Sequence, residues 1–279
     1  MFSDVLLTVD FDRTLTAPDS TIPQRNLEAI EYFMANGGTF TMNTGRSLPM
    51  ARDNVLAKVP MNAPAILYNG ACCYDGKEFS NTRVIPLDQE AVVRDLYEKF
   101  PKLTVEVQGM AAHCVVRENP DWADYCDNNL CAWAYGLPEN EPFVKFSFYG
   151  SFHDNTVASF YEATPGELAE IDEAIAYVRE KYGDIVNIER ACPRLVDMQL
   201  KGVSKGAAAL DMKAQLGKKY LVCAGDGFND LSMMDAADYA YCPADGGIAD
   251  RYENVCNCAD GAVADVIYYK IPEILRCEE

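Results

Sequence analysis

Val5-Leu6-Leu7-Thr8-Val9-Asp10-Phe11-Asp12-Arg13-Thr14 is the stretch on which the fold turns. Its first five residues are apolar or β-branched and do not alternate. That pattern predicts a strand buried on both faces, as in a parallel sheet covered by helices. The run then breaks into two aspartates two residues apart. In an open parallel sheet, the carboxyl ends of the strands border one crevice, where polar groups can meet a ligand.

The same rhythm repeats outward. Ser20-Thr21-Ile22-Pro23 offers an N-cap and an early proline. Leu27, Ile30, Phe33 and Met34 follow at helical spacing, and Gly37-Gly38 stops the helix. Thr39–Met42 predicts a second strand ending in Asn43-Thr44-Gly45-Arg46-Ser47, with a helix from about Ser47. Ala65–Tyr68 predicts a third, ending in Asn69-Gly70. Strand–helix alternation of this kind predicts an α/β fold with a Rossmann-like, doubly wound parallel-sheet core.

From about residue 82 the rhythm changes. Leu87–Phe100 reads as a helix, and Leu103–Val107 and Cys114–Arg117 as strands. Residues 119–140 hold both tryptophans and are in part helical. Phe143–Tyr149 alternates like a half-buried strand, and Pro165–Tyr182 is an amphipathic helix. Asp184–Glu189 and Arg194–Gln199 read as strands. The core pattern then resumes with a helix at Lys205–Leu216, a strand at Tyr220–Ala224 and a short helix at Leu231–Ala237. Tyr239–Cys242 is expected as the last strand, and a helix near Ala262–Tyr269 closes the chain. The division expected is a discontinuous core at 1–81 and 196–279, with an inserted α+β domain at 82–195.

Composition narrows the function. The 279 residues carry 24 Lys+Arg against 43 Asp+Glu, a formal net charge of −19. Such a surface repels phosphate backbones and anionic bilayers, so no nucleic acid and no membrane are expected as partners. A small anionic substrate needs a local positive pocket against that field. Eleven cysteines and two histidines, with no Cys-x-x-Cys pair, do not form a zinc framework. The thiols read as small buried side chains in a reducing compartment. No basic leader and no long apolar run appear, so the expectation is a cytoplasmic protein, a monomer or small homo-oligomer.

Four clusters sit where strands end or helices begin. In Asp10-x-Asp12-x-Thr14, one carboxylate can act as a nucleophile while the other exchanges a proton, the division that phosphoryl transfer needs. Taken alone, the pair equally fits a polar turn. Thr44, Gly45 and Arg46 stand at a helix N-terminus, which suits an anion. Lys205, in Gly202-Val203-Ser204-Lys205-Gly206, could hold a phosphoryl oxygen, although a lone lysine is more often a surface group. Gly225-Asp226-Gly227-Phe228-Asn229-Asp230 places hard oxygen ligands on a glycine turn, which suits Mg²⁺.

Together these clusters resemble the four ordered motifs of the haloacid dehalogenase-like (HAD) phosphatase superfamily. The insertion between the second and third motifs, with Asn69-Gly70-Ala71, is similar to the Cof-like branch, which carries an α/β cap there. The resemblance implies a Mg²⁺-dependent phosphomonoester hydrolase acting on a small-molecule phosphate ester, a sugar phosphate by default. It implies that Asp10 attacks phosphorus and that Asp12 is the general acid and base. Asp10, Asp12 through its carbonyl, Asp226 and Asp230 would surround the metal. Thr44, Gly45, Arg46, Asn69, Lys205 and Asn229 would bind or position the phosphate. The same motifs also fit a phosphomutase or phosphotransferase, or a regulatory protein that has kept the fold without catalysis.

Two departures stand out. The family usually has glycine where this chain has Arg13, which would be strained if the position is left-handed. Its side chain is expected to point to the cap or to solvent. Cys242-Pro243-Ala244-Asp245 replaces a Gly-Asn-Ala segment. Elsewhere His113, His153, Trp122 and Trp133 read as structural parts of the insertion, and Cys256-x-Cys258 as two thiols near the surface.

Overall fold

The computed structural model describes residues 1–150 and 163–277; His153 lies outside them. In chain order the elements begin with β1 Val5–Val9, α1 Gln24–Ala35, β2 Thr39–Met42, α2 Leu48–Ala51, β3 Ala65–Leu67, β4 Cys72–Tyr74, β5 Phe79–Ser80 and α3 Gln89–Lys99. They continue with β6 Thr104–Gln108, β7 His113–Val115, α4 Pro120–Asn128, β8 Trp133–Tyr135, β9 Lys145–Tyr149, α5 Pro165–Tyr182, β10 Val186–Cys192 and β11 Leu195–Leu200. The last are α6 Lys205–Gln215, β12 Tyr220–Ala224, α7 Leu231–Ala236, β13 Tyr239–Pro243, β14 Glu253–Val255, α8 Ala262–Asp265 and α9 Ile271–Cys277.

These elements form two compact units. The first comprises Met1–Gly45, Val55–Asn81 and Ser204–Glu279, and the second comprises Arg46–Asn54 and Thr82–Val203. The second therefore runs past residue 195. The reason is the pairing of β11 with β9 and β10, which makes it an interior strand of the second sheet.

The first unit is built on a parallel sheet in the order β14-β13-β12-β1-β2. β1 is central, pairing with β12 through Val5↔Tyr220 to Val9↔Ala224 and with β2 through Leu6↔Thr39 to Val9↔Met42. All five of its residues are buried, as an unbroken apolar run requires. One face packs Leu6, Leu221 and Cys223 against Ala209 and Met212 of α6 and Met233 and Met234 of α7. Between α1 and α8, buried Asn26 donates to Leu15 O at 2.9 Å and accepts from Ala264 N at 2.9 Å. Its amide thus satisfies two backbone groups that would otherwise be stranded.

Three expectations need correction here. The last strand is β14, which pairs with β13; Glu-Asn-Val carries no buried-strand signature because it lies at the sheet edge. β3 reaches the parallel sheet through the single bridge Asn43↔Ile66 and otherwise pairs antiparallel with β4. Cys258 is buried and its thiol donates to Asp245, so Cys256-x-Cys258 is not a surface pair.

The second unit has a sheet in the order β10-β11-β9-β6-β7-β8, antiparallel except for β7 with β8. Val105, Val107, Phe146, Phe148, Val196 and Met198 form its apolar face, packed on Val93 and Leu96 of α3 and on Ile171 and Val178 of α5. Thr164 and Glu167 close a capping box ahead of Pro165, which fixes where α5 starts and is worth about 1 kcal/mol. The alternate residues of β6, β9 and β11 are polar yet also buried. Lys145 pairs with Asp197 at 2.7 Å, Ser147 donates to Asp197 at 2.7 Å, and Gln108 donates to Ser147 at 3.1 Å. Phe143–Tyr149 therefore alternates apolar with hydrogen-bonded polar residues, rather than buried with exposed ones.

Gly70 sits where the turn after β3 meets the first residue of the α6 cap. Its φ is +96°, and a Cβ there would lie 2.3 Å from Ser204 O. Both the backbone conformation and the close approach demand glycine. Gly70→Ala is expected to lower stability by more than about 2 kcal/mol in a urea titration, since backbone meets backbone and neither can yield.

Candidate active site

The site is assembled at the carboxyl edge of the parallel sheet. Asp10 follows β1, and its amide donates to Ala224 O at the end of β12 at 2.9 Å. Lys205 opens α6 behind the Ser204 cap, and its own carbonyl accepts from Asn43 Nδ2 at 2.9 Å. Its Nζ reaches Asp10 Oδ1 at 2.5 Å and Asp230 Oδ1 at 2.6 Å. The other Asp230 oxygen accepts from the amides of Asp226 and Gly227 at 3.1 and 2.9 Å. One buried carboxylate thus fixes both the lysine and the glycine turn.

Asp10, Asp226 and Asp230 each present an oxygen within 4.8 Å of the others. Burial and the Asp230 charge push Asp226 up to about 7, from an ordinary 3.8. Burial, with Asp230 again repelling, also raises Asp10 well above the usual carboxylate range against the pull of Lys205. Lys205 is raised too: burial alone would lower it, and the two aspartates overcome that. A cluster of hard oxygens that repel one another at neutral pH is a fitting seat for a divalent cation such as Mg²⁺.

The turn after β1 spans Phe11–Leu15 and is kinked, with Asp12 extended at φ −73°, ψ 124° and Arg13 left-handed. Thr16 N returns to Phe11 O at 3.0 Å, and Arg13 N donates to Thr16 Oγ1 at 3.0 Å. Asp12 is half-buried on this turn. Thr14 Oγ1 donates to Asp226 Oδ1 at 3.2 Å, tying the first cluster to the fourth. Thr14 closes the Asp10-x-Asp12-x-Thr14 pattern, but the pattern alone does not foretell this bond, and nothing in sequence marks Asn43 as the partner of Lys205.

Arg13 has φ +59°, so the position is left-handed, as the strain argument required. Its side chain turns not to solvent alone but back to Asp226, with Nε 3.9 Å from Oδ2. The replacement segment Cys242-Pro243-Ala244-Asp245 makes its own local contact, with Asp245 accepting from Cys258 N at 2.9 Å. Burial alone would raise Asp245, but the hydrogen bonds from Cys258 and, after them, the Arg13 charge hold it below its ordinary value.

Thr44 is buried, with its amide donating to Ile66 O at 3.0 Å and its carbonyl accepting from Asn69 N at 3.1 Å. Gly45 is pressed against Asn69, whose Oδ1 would stand 2.6 Å from any Cβ there. Tyr68 and Asn69 are both left-handed, at φ +54° and +55°. Asn229 lies on the Asp226–Asp230 turn, its amide against Gly227. Arg46 belongs to the second unit, where its charge acts on Tyr125. His113 and Trp122 are buried in the second unit, and Trp133 stacks edge-on against Trp122 at 5.8 Å.

A doubly wound sheet with carboxylates and a lysine gathered at its carboxyl edge defines a class of α/β enzymes built for polar chemistry on a small ligand. Comparison with known proteins gives the family. The chain matches the haloacid dehalogenase-like hydrolase family over residues 7–247 and belongs to it. It is 25% identical over 239 residues to the pyridoxal phosphate phosphatase YbhA of Escherichia coli (strain K12), covering 83% of this chain and 85% of that one. Its structure is similar to that of a haloacid dehalogenase-like hydrolase from Bacteroides thetaiotaomicron, with a TM-score of 0.75 and 18% identity over 94% of this chain and 97% of the other. It is also similar to the HAD subclass IIB sugar phosphatase BT4131, with a TM-score of 0.72 and 20% identity over 95% and 98% of the two chains. The protein is an enzyme of this hydrolase family, a phosphatase by class.

Two outcomes follow from the geometry. Asp226 keeps its proton in the folded chain up to about 7 but loses it near 3.8 when unfolded. Between those values the folded state binds more protons, so this group's contribution to stability falls as pH rises. In chelator, thermal unfolding followed from pH 4 to 8 is expected to show that fall, and Asp226→Asn is expected to flatten it. Separately, Arg13→Gly relieves a left-handed side chain worth about 1–2 kcal/mol and loses only a long, half-exposed ion pair. The expected midpoint in thermal denaturation is equal to or above that of the parent; a drop of several degrees would count against the strain.

Proposed function

We propose that the chain is a Mg²⁺-dependent phosphomonoester hydrolase for a small phosphorylated metabolite, with a sugar phosphate as the default substrate. The observation that carries this reading is the Asp10 carboxylate, held at the end of β1 by Lys205 Nζ at 2.5 Å and facing a second carboxylate, Asp226. On this reading a nucleophile, a fixed cation and a metal seat would share one point.

Asp10 would attack phosphorus through one carboxylate oxygen. The P–O bond to the leaving alcohol breaks as the Asp10–phosphoryl bond forms. Asp12, two residues on and half-buried, would give its proton to the leaving oxygen. It would then take a proton from the water that hydrolyses the acyl phosphate and returns Asp10 as a carboxylate. Lys205, Thr44 and Gly45 would hold the phosphoryl oxygens, with Asn69 and Asn229 setting the two turns and Arg46 adding charge. Asp10, Asp226 and the Asp12 carbonyl would hold Mg²⁺, which when bound supplies a Lewis acid for the phosphoryl oxygens. Both oxygens of Asp230 are engaged with Lys205 and backbone amides, which supports a positioning role there. The second unit, residues 82–203 with 46–54, would serve as the cap that excludes water and selects the leaving group.

The test is phosphate release from a panel of sugar phosphates, pyridoxal phosphate and other small esters, with Mg²⁺ or with chelator. Release that needs Mg²⁺ and falls by at least about 10³-fold in Asp10→Asn is expected, since the nucleophile is lost. Release unchanged in Asp10→Asn would overturn the mechanism. Transfer of phosphate to a second hydroxyl with no free phosphate would replace the hydrolase reading with a phosphotransferase.

A further inference from the structure

The second unit contains a reactive constellation that the hydrolase reading leaves unused. Helix α4 ends in a turn that superimposes two thiols. Leu130 N returns to Asp127 O at 3.1 Å, and Cys131 N returns to Cys126 O at 2.9 Å. This nested pair of bonds is the Schellman ending, in which the residue after the left-handed position packs over the third residue from the helix end. The two residues so stacked are Cys131 and Cys126. The left-handed position is taken by Leu130, at φ +53° and 58% exposed, where glycine would be unstrained. A strained residue held in place by its surroundings is common beside functional groups.

His113 faces this pair. One of its ring nitrogens and the two sulfurs all lie within 4.8 Å of one another, and all three residues are buried. The imidazole is held at both ends. Nδ1 lies 3.0 Å from Glu106 Oε1, and Nε2 lies 2.5 Å from Ser47 Oγ. Glu106 in turn accepts from Trp122 Nε1 at 2.6 Å and from Tyr149 OH at 3.1 Å, so it is a fully bonded buried carboxylate. A carboxylate thus stands beside Nδ1 and a hydroxyl beside Nε2. The ring is arranged as an imidazolium beside a sulfur, as at activated cysteines.

We propose that Cys131 and Cys126 are a redox-active pair, in which Cys131 is the nucleophile toward a hydroperoxide and Cys126 resolves it to a disulfide. The ionisations agree. Burial alone would lower His113, but Glu106 and Cys131 raise it to about 10. The Cys126 thiol, hydrogen-bonded to Cys131, together with His113, lowers Cys131 to about 6 despite burial. Cys126 is raised, through that same bond to Cys131 and through burial, and keeps its proton.

The chemistry balances with the peroxide as the only co-reactant. The Cys131 thiolate attacks one peroxide oxygen, forming S–O as O–O breaks. The departing hydroxide takes a proton from His113 and leaves as water. Cys126 sulfur then attacks the sulfenic sulfur, forming S–S as S–O breaks, and its proton leaves with the hydroxide as a second water. Two sulfurs lose two electrons, the peroxide gains them, and His113 regains its proton from solvent. Cys131 is itself 3% exposed, and a peroxide would have to enter at the turn, between its exposed neighbours Leu130 and Ala132.

The experiment treats the intact protein with hydrogen peroxide near neutral pH and maps the cysteines by mass spectrometry over time. Exposed Cys277 serves as the internal standard. The expected product is a Cys126–Cys131 disulfide, two hydrogens lighter, formed at least about tenfold faster than Cys277 is oxidised. In Cys126→Ser, which keeps a donor to Cys131 but forms no disulfide, Cys131 should be trapped as a sulfenic acid by dimedone. In folded His113→Gln, the rate should fall toward that of Cys277. Should His113→Gln not fold, Cys126→Ser still decides, since it keeps both the donor and the imidazole. Oxidation of Cys277 ahead of an unreacted Cys126 and Cys131 would overturn the proposal, as would absence of dimedone label in Cys126→Ser. None of these readouts depends on phosphate release, so the outcome stands apart from the hydrolase reading.

Discussion

A single buried ammonium organises the first unit. Lys205 Nζ, shielded from water, lies between Asp10 and Asp230. Removing it would leave two carboxylates buried and opposed, a loss of about 3–5 kcal/mol in comparable pairs. Its geometry is enforced from several directions. The Ser204 cap starts α6, Asn43 holds the Lys205 carbonyl, and Asp230 is pinned by the amides of the glycine turn. Segments from four parts of the chain therefore meet at one residue.

That arrangement also resolves a conflict of charge. The chain is −19 overall, yet the chemistry calls for an anionic ester. A buried lysine against the crevice floor contributes more field than a surface one, because water does not screen it. Its one positive charge offsets only one of Asp10 and Asp230, and Asp226, buried beside Asp230 and pushed up to about 7, adds to the excess. Arg13, at 3.9 Å and half-exposed, answers only part of that excess. The remaining negative charge favours a cation at this point and would oppose a bare phosphate without one.

Much of this was legible in the sequence because it rests on local patterns. Unbroken apolar runs marked β1 and β12, and the carboxylates directly after them marked the crevice. The amphipathic period of Pro165–Tyr182 marked α5. Other features were hidden because their causes are long-range. β14 is three edge residues with no apolar run. β4 and β5 form a short hairpin whose strands hold three and two residues, too few for a period to show. β11 alternates apolar and polar residues across the expected boundary at 195, and its pairing with β9 is what assigns the whole strand to the second unit. The polar residues of β9 read as solvent-facing, since a sequence does not reveal that Lys145 will find Asp197 across the sheet.

Left-handed backbone shows where the fold accepts strain for position. Arg13, Tyr68, Asn69 and Leu130 all adopt it without being glycine. Arg13 and the Tyr68–Asn69 pair lie on turns at the carboxyl edge of the first sheet, where the chain must reverse while keeping Asp12 and Thr44 in place. Leu130 lies at the end of α4 and sets Cys131 over Cys126. Each such residue costs about 1–2 kcal/mol, a large share of a domain's net stability. Glycine would remove the side-chain clash but would also free the turn to sample other conformations. A bulky residue in the same conformation, wedged by its neighbours, leaves the turn fewer alternatives. At these four residues local preference and structure thus disagree beside a side chain that has to be held still.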